Sequence, residues 1–337
     1  MRRLPVYLLI DTSESTLGEA HDSIMQGVSK MLGTLRKNPY ALETVWLSII
    51  TFDATARVVA PLTDICEFVA PELPIHPGTA LGAAIETLRT RLSLEVMRST
   101  PEKKGDWRPL VFFLTDGAPT DEWRGPLARF KATTPRPAHV CAIGCGDDVD
   151  FAVLRELADE VFQLNAESEQ ELPELFNRLF VWLSASVNSA SRGLEEDAAP
   201  PQNALPKGVA RVENGDATPP RNPARPKFVF FHRICSTTRR HYLVRLTYNG
   251  KFYSSPRTFK VEKDFFSEGD PGAPEIPSEL IVDDSRCPYC DAYYVFHCEC
   301  GAMSCLQNRE SVFTCPSCGQ KCSMFGSHTG GIRGSLG

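Results

Sequence analysis

Six short runs of almost unbroken apolar residues, separated by longer amphipathic stretches, constrain the first half of this chain more than any other feature. The runs cover residues 6–10, 45–52, 58–61, 110–114, 140–143 and 161–164, and the amphipathic stretches lie near 16–36, 79–98, 122–133, 150–158 and 169–186. A strand that is apolar on both faces must be covered on both faces, and alternation with helical patterns supplies the cover. The connection Asp53-Ala54-Thr55 is too short for a crossover helix, so the third strand is expected at an antiparallel edge. The pattern predicts an α/β fold with a doubly wound, mostly parallel sheet.

In such sheets a ligand sits beyond the carboxyl ends of the strands, where the strand order reverses. The first run ends in Asp11-Thr12-Ser13-Glu14-Ser15, whose oxygens at alternating positions can turn toward one point. Asp116 follows the strand near 110–115 and opens the turn Gly117-Ala118-Pro119-Thr120-Asp121, while Pro77-Gly78-Thr79 precedes a helix and brings in a hydroxyl from a third loop. Carboxylate and hydroxyl oxygens suit a hard divalent cation, Mg²⁺ or Mn²⁺. Serine and aspartate also cap helices, and Asp-Gly is an ordinary turn signal, so each residue alone has a bland reading. Glu14 reads as solvent-facing or capping rather than as a ligand.

This constellation, Asp11, Ser13 and Ser15 in D-x-S-x-S, Thr79 in a G-T helix start and Asp116 in T-D-G, resembles the metal-ion-dependent adhesion site of von Willebrand factor A domains. The resemblance covers roughly residues 4–187. It implies that Ser13, Ser15 and Thr79 supply hydroxyl ligands, that Asp11 and Asp116 act directly or through waters, and that one coordination position is left for a partner's acidic side chain. Its expected output is binding, not catalysis. The residues agree with that: Ser13 stands where a phosphoryl-transfer site would want a second carboxylate, and neither G-x-x-x-x-G-K-[ST] nor G-x-S-x-G occurs. Cys141 and Cys145 have C-x3-C spacing, which lacks the thioredoxin pattern, and read as buried structural cysteines.

The second half differs in kind. Residues 1–187 carry 18 basic and 26 acidic groups, whereas 188–337 carry 18 and 16, a change of sign that separates two modules. Eight of the 12 cysteines crowd between Cys287 and Cys322, and clustering at such short spacing favours metal over disulfides. Met1-Arg2-Arg3 before an apolar run imitates a signal peptide, but Asp11 interrupts it and no small-residue cleavage site follows, so a cytoplasmic protein with no membrane span is expected. The domains expected are residues 1–187, a Pro/Ala-rich linker 188–226, a β-rich cysteine-dense domain 227–326, and a flexible tail 327–337. The linker stretch 206–212, P-K-G-V-A-R-V, can dock as a short strand on either domain.

Two C-P-x-C knuckles, at Cys287/Cys290 and Cys315/Cys318, are a zinc-ribbon signal, because each loop presents two thiolates to one tetrahedral ion. With Cys298, Cys300, Cys305 and Cys322 the eight thiolates match two Zn²⁺ sites. The pairing expected places Cys287 and Cys290 with Cys315 and Cys318, and the other four together; His297 or His328 can replace a thiolate. Full thiolate ligation leaves no open position, so this metal serves shape. Such a module after a von Willebrand A domain resembles the tellurium-resistance TerY family. The resemblance implies a non-enzymatic adaptor working with a protein kinase and a serine/threonine phosphatase in bacterial stress responses.

A second reading rests on residues 221–263, where 11 basic residues and one acidic residue interleave with Phe228, Phe230, Phe231, Tyr242, Tyr248, Phe252, Tyr253 and Phe259. Basic groups with aromatics suit single-stranded nucleic acid. Against it, residues 264–284 carry seven acidic groups and no basic one.

Overall fold

The structure, a computed structural model, describes residues 2–133, 137–146, 149–165, 171–192, 205–213, 228–261, 275–307, 312–323 and 332–333. The chain divides into two compact units, one of Met1–Ile75 with Thr79–Arg221, the other of Asn222–Gly337 with His76–Gly78.

The first unit runs β1 (Leu4–Asp11), α1 (Glu19–Leu35), α2 (Pro39–Thr44), β2 (Val45–Phe52), β3 (Ala56–Asp64), α3 (Leu81–Glu95), β4 (Leu110–Thr115), α4 (Arg124–Lys131), β5 (His139–Cys145), α5 (Phe151–Leu157), β6 (Glu160–Leu164), α6 (Leu172–Arg192) and β7 (Val209–Arg211). Its sheet has the order β3-β2-β1-β4-β5-β6-β7. The five strands from β2 to β6 pair in parallel, and β3 lies antiparallel on β2 as the short Asp53–Thr55 connection requires.

Every residue of β1 is buried, and its side chains divide by parity. Val6, Leu8 and Ile10 join the core formed with α1 and α6; Tyr7 and Leu9 join the core formed with α3, α4 and α5. Helices therefore cover both faces, and the strand order reverses between β1 and β4. On the first face α1 and α6 touch closely, because a Cβ on Gly27 would come within 2.1 Å of the Phe180 ring.

Two elements depart from the sequence reading and a third settles a choice it left open. Helix α2 is short, starts at Pro39, and is capped by Asn38 accepting from the Tyr40 amide at 3.0 Å. Helix α6 runs to Arg192, past the boundary expected at 187. Within the expected linker, β7 pairs antiparallel with β6 and completes the sheet, so the stretch 206–212 docks on the first unit. Segments 193–204 and 214–226 of that linker lie outside the described residues.

The second unit contains β8 (Phe228–Ile234), β9 (His241–Tyr248), β10 (Tyr253–Lys260), β11 (Glu275–Ile276), β12 (Tyr294–His297), β13 (Met303–Leu306), β14 (Val312–Thr314), β15 (Lys321–Ser323) and β16 (Ile332–Arg333). Five of them form a sheet of order β10-β9-β8-β13-β12; the pairs β11-β16 and β14-β15 are separate ribbons. The turn at Asn249-Gly250 forms as its residues dictate: Asn249 Oδ1 accepts the amides of Lys251 and Phe252, both at 3.0 Å, and Gly250 takes φ 93°. The last strand of that hairpin starts at Tyr253. Apart from Ile332 and Arg333, the tail 327–337, with His328, lies outside the described residues.

Candidate metal centres

The oxygen cluster forms where β1 and β4 part. Asp11, the last residue of β1, is 2% exposed; its Oδ1 accepts the Ser13 amide at 3.0 Å and its Oδ2 accepts the Thr115 hydroxyl at 2.6 Å. Burial pushes its carboxyl up to about 6, the Thr115 and Ser13 hydrogen bonds oppose that, and the nearby charge of Asp53 adds to it. Ser15 Oγ donates to Asp116 Oδ1 at 2.8 Å, Ser13 Oγ reaches the same oxygen at 3.5 Å, and the two serine hydroxyls stand 2.9 Å apart. Four of the five expected residues thus meet directly.

Thr79 arrives from a third loop, pinned from two sides. The Ala80 amide donates to the Asp53 carbonyl beyond β2 at 2.6 Å, and Thr79 exchanges backbone bonds with Thr120 beyond β4, through its amide to Thr120 Oγ1 at 3.0 Å and its carbonyl from the Thr120 amide at 2.9 Å. The loop therefore spans the sheet edge above β1. Asp121 holds it there by accepting the amides of Gly82 and Ala83, each at 2.9 Å, at the start of α3. Only glycine fits at 82, since a Cβ would lie 2.2 Å from the Glu122 carbonyl oxygen. The Thr79 side chain is 1% exposed, and its Oγ1 has no hydrogen-bond partner among the described residues. A buried hydroxyl without a partner costs about 1–3 kcal/mol, and a cation on that oxygen would remove the deficit.

Two neighbours escaped the sequence reading. Glu14 is fully buried in a short 3-10 turn, Glu14–Thr16, and does not face solvent. Asp53 is also fully buried, accepting from the Thr55 amide at 2.9 Å and paired with Arg57. Its position at the end of β2, beside β1, was the available signal. Burial, with the charges of Asp116 and Asp11, pushes the Cys145 thiol far above its ordinary value, and burial does the same to Cys141, so neither is poised as a thiolate.

Eight of the nine cysteines of the second unit fall into two groups of four, each with all sulfurs within 4.8 Å of one another: Cys235, Cys287, Cys290 and Cys305, and Cys298, Cys300, Cys315 and Cys318. This corrects the expected pairing, because the two C-P-x-C knuckles serve different groups. Cys235 replaces Cys322, which lies beside the second group with its Sγ 3.7 Å from that of Cys298. A tetrahedral ion bound at about 2.3 Å sets its ligand sulfurs about 3.8 Å apart. The observed contacts match, at 3.6 Å for Cys290–Cys305, 3.7 Å for Cys298–Cys318 and 3.9 Å for Cys300–Cys315. Both groups have the donors and the spacing to hold zinc.

One turn recurs at three of these sites. In Cys235–Arg240, Cys287–Ala292 and Cys315–Gln320 the cysteine carbonyl accepts the amide four residues on, at 2.9–3.0 Å, and the cysteine amide donates to the carbonyl five residues on, at 2.8–3.0 Å. The fifth residue takes positive φ each time: Arg239 at 56°, Asp291 at 57° and Gly319 at 78°. Amides inside the turn point at sulfur. Burial opposes ionisation of Cys235, but donors at Thr238 and Thr237 overcome it and bring the thiol down to about 7; amides of Cys318 and Ser317 do the same for Cys315.

Of the aromatics that suggested nucleic acid, half are core: Phe230, Phe231, Tyr242 and Tyr253 are at most 2% exposed, while Phe228, Tyr248, Phe252 and Phe259 are half-buried. Arg233 is buried against Asp283 and Ser285, and Arg245 lies over the rings of Phe228 and Phe259. No helix among the described residues is long and apolar enough to cross a membrane.

Comparison with known proteins agrees with this division. The family model of the von Willebrand factor type A domain matches residues 6–178, just over half the chain, and that of the TerY-C metal binding domain matches residues 221–334. No curated protein matches. Among solved structures, the chain is similar to the ArnB paralog VWA2 from Sulfolobus acidocaldarius, at 16% identity over 53% of this chain and 45% of that one, TM-score 0.38. It is also similar to proximal thread matrix protein 1 from the mussel byssus with a zinc occupied MIDAS motif, at 19% identity over 54% and 48%, TM-score 0.39. A third is a von Willebrand factor type A protein from Catenulispora acidiphila, at 14% identity over 80% and 70%, TM-score 0.42. The chain thus spans less than half the length of the first two.

Proposed function

The chain belongs to the von Willebrand factor type A domain family, and from that premise we propose that it is a non-enzymatic adaptor that grips an acidic side chain of a partner protein through Mg²⁺ or Mn²⁺. Pairing this domain with a metal-binding TerY-C domain fits an adaptor or scaffold role. The observation that carries the finer reading is the buried, unpartnered Thr79 Oγ1 on a loop pinned between the ends of β2 and β4. Asp11, Ser13, Ser15, Thr79 and Asp116 would hold the ion. The ion would supply an electrophilic centre for an incoming carboxylate, since hydroxyl ligands leave its charge poorly neutralised. The chain's own groups orient it: Thr115 and the Ser13 amide fix the Asp11 carboxylate, and Asp121 fixes the loop bearing Thr79.

The partners proposed are a protein kinase and a serine/threonine phosphatase of a bacterial stress response of the tellurium-resistance type, in the cytoplasm. The TerY-C domain, with Zn²⁺ in its two cysteine groups, gives shape rather than chemistry. Binding of such a kinase or phosphatase to the zinc-loaded chain should require Mg²⁺ or Mn²⁺, and should weaken at least tenfold, about 1.4 kcal/mol, in Asp11→Ala and Asp116→Ala. Binding that ignores both substitutions and the cation would refute the bridge.

A further inference from the structure

The two cysteine groups are not equivalent. In the first, Cys235, Cys287 and Cys305 are buried and Cys290 is half-buried; in the second, Cys300 and Cys318 are exposed. A fifth sulfur also borders the second group alone. Cys322, half-buried on β15, has its Sγ 3.7 Å from Cys298 Sγ, the same separation as that between Cys298 and its fellow ligand Cys318. Its other partner is the Gln320 carbonyl, to which the thiol donates at 3.6 Å. The Cys322 sulfur therefore touches one member of a set of four without belonging to it.

We propose that Cys322 is a redox-active thiol which, on oxidation by a hydroperoxide, forms a disulfide with Cys298 and so releases the zinc of the second group while the first keeps its own. The terminal peroxide oxygen adds to the Cys322 sulfur as the O–O bond breaks, giving a sulfenic acid and the alcohol of the hydroperoxide, or water where the oxidant is hydrogen peroxide. The Cys298 sulfur then attacks that of Cys322; the S–S bond forms, the S–O bond breaks, and hydroxide leaves with a proton from solvent as water. The two sulfurs give up two electrons, which reduce the peroxide. Closing the sulfurs from 3.7 Å to about 2 Å removes Cys298 from the ion. Three thiolates remain, which take up protons as the metal departs.

This rests on the zinc reading of the second group, and the experiment separates the two. The full chain loaded with zinc is treated with hydrogen peroxide while a chromogenic chelator reports free zinc and tryptic mass spectrometry reports disulfides. The expected result is release of one zinc per chain together with a Cys298–Cys322 cross-link, reversed by dithiothreitol. Cys322→Ser should start with the same zinc content and release it roughly tenfold more slowly. Equal release rates in the two proteins, or release without that cross-link, would overturn the proposal. A Cys322→Ser chain that starts with less zinc would overturn it too, by making Cys322 a ligand. A wild-type chain with no zinc in the second group before peroxide would instead overturn the zinc reading beneath it.

Discussion

Cys235 follows β8 and enters the same turn as Cys287 and Cys315, with Thr238 standing where those two knuckles place their second cysteine. That substitution hid it. Eight cysteines between 287 and 322 already made two sets of four, so nothing in the count asked for a ninth. The overlooked signal was a cysteine leaving one strand and a six-residue turn entering the next, the same length as C-P-Y-C-D-A and C-P-S-C-G-Q. Cys235→Ser should lower the zinc content of the chain from two ions to one, read by elemental analysis, and destabilise the second unit. Two zincs retained in that variant would return Cys235 to the core and reopen the pairing. By contrast, Asp11, Ser13, Ser15 and Asp116 were legible from sequence because each sits at or just past the end of an apolar strand, where topology leaves a side chain little choice of direction. Of the two readings given for Glu14, solvent-facing fails because the residue lies in a short turn folded down beside the site.

Strands were the most legible elements, since burial on both faces writes itself as a continuous apolar run. Short elements were less so: α2 has too few residues for a period, and the strand-like stretch 206–212 showed β7 without showing that its partner would be β6. The strand pair β8–β9 carries a feature that no pattern shows. His232 Nε2 and His241 Nδ1 stand 2.8 Å apart with stacked rings, and burial followed by the neighbouring His241 charge brings His232 down to about 4. The unfolded histidine, near 6.5, then binds a proton before the folded one does. Stability of this strand pair is accordingly full above pH 6.5 and falls as pH drops from there toward about 4. Titration followed by NMR should show the His232 ring still neutral at pH 5.5, and His232→Gln should flatten the loss of stability across that window. A His232 ring that protonates near 6.5 would contradict the pairing.

At the scale of the whole molecule, two units gather two opposite kinds of metal donor. Hard oxygens from three loops gather at the sheet edge of the first, with a carboxylate already strained by burial; soft thiolates saturate both candidate centres of the second. On the proposed account the first arrangement would leave its ion open to a partner and the second would close it, which is why that account places recognition at Asp11 and structure at the cysteines. Sequence alone could order these units and name their ligand types, whereas which thiolates share an ion depended on contacts between strands distant in the chain.

The central claim is that Thr79 Oγ1 awaits a cation, and Thr79→Val tests it because the change keeps shape and removes only the hydroxyl. With zinc saturating in both proteins, thermal unfolding of the first unit is followed with and without Mg²⁺. The account predicts that the variant is more stable than wild type without Mg²⁺, by about 1–3 kcal/mol, and loses most of the stabilisation that Mg²⁺ gives to wild type. A variant that is less stable without Mg²⁺ yet gains as much from it as wild type would contradict the account.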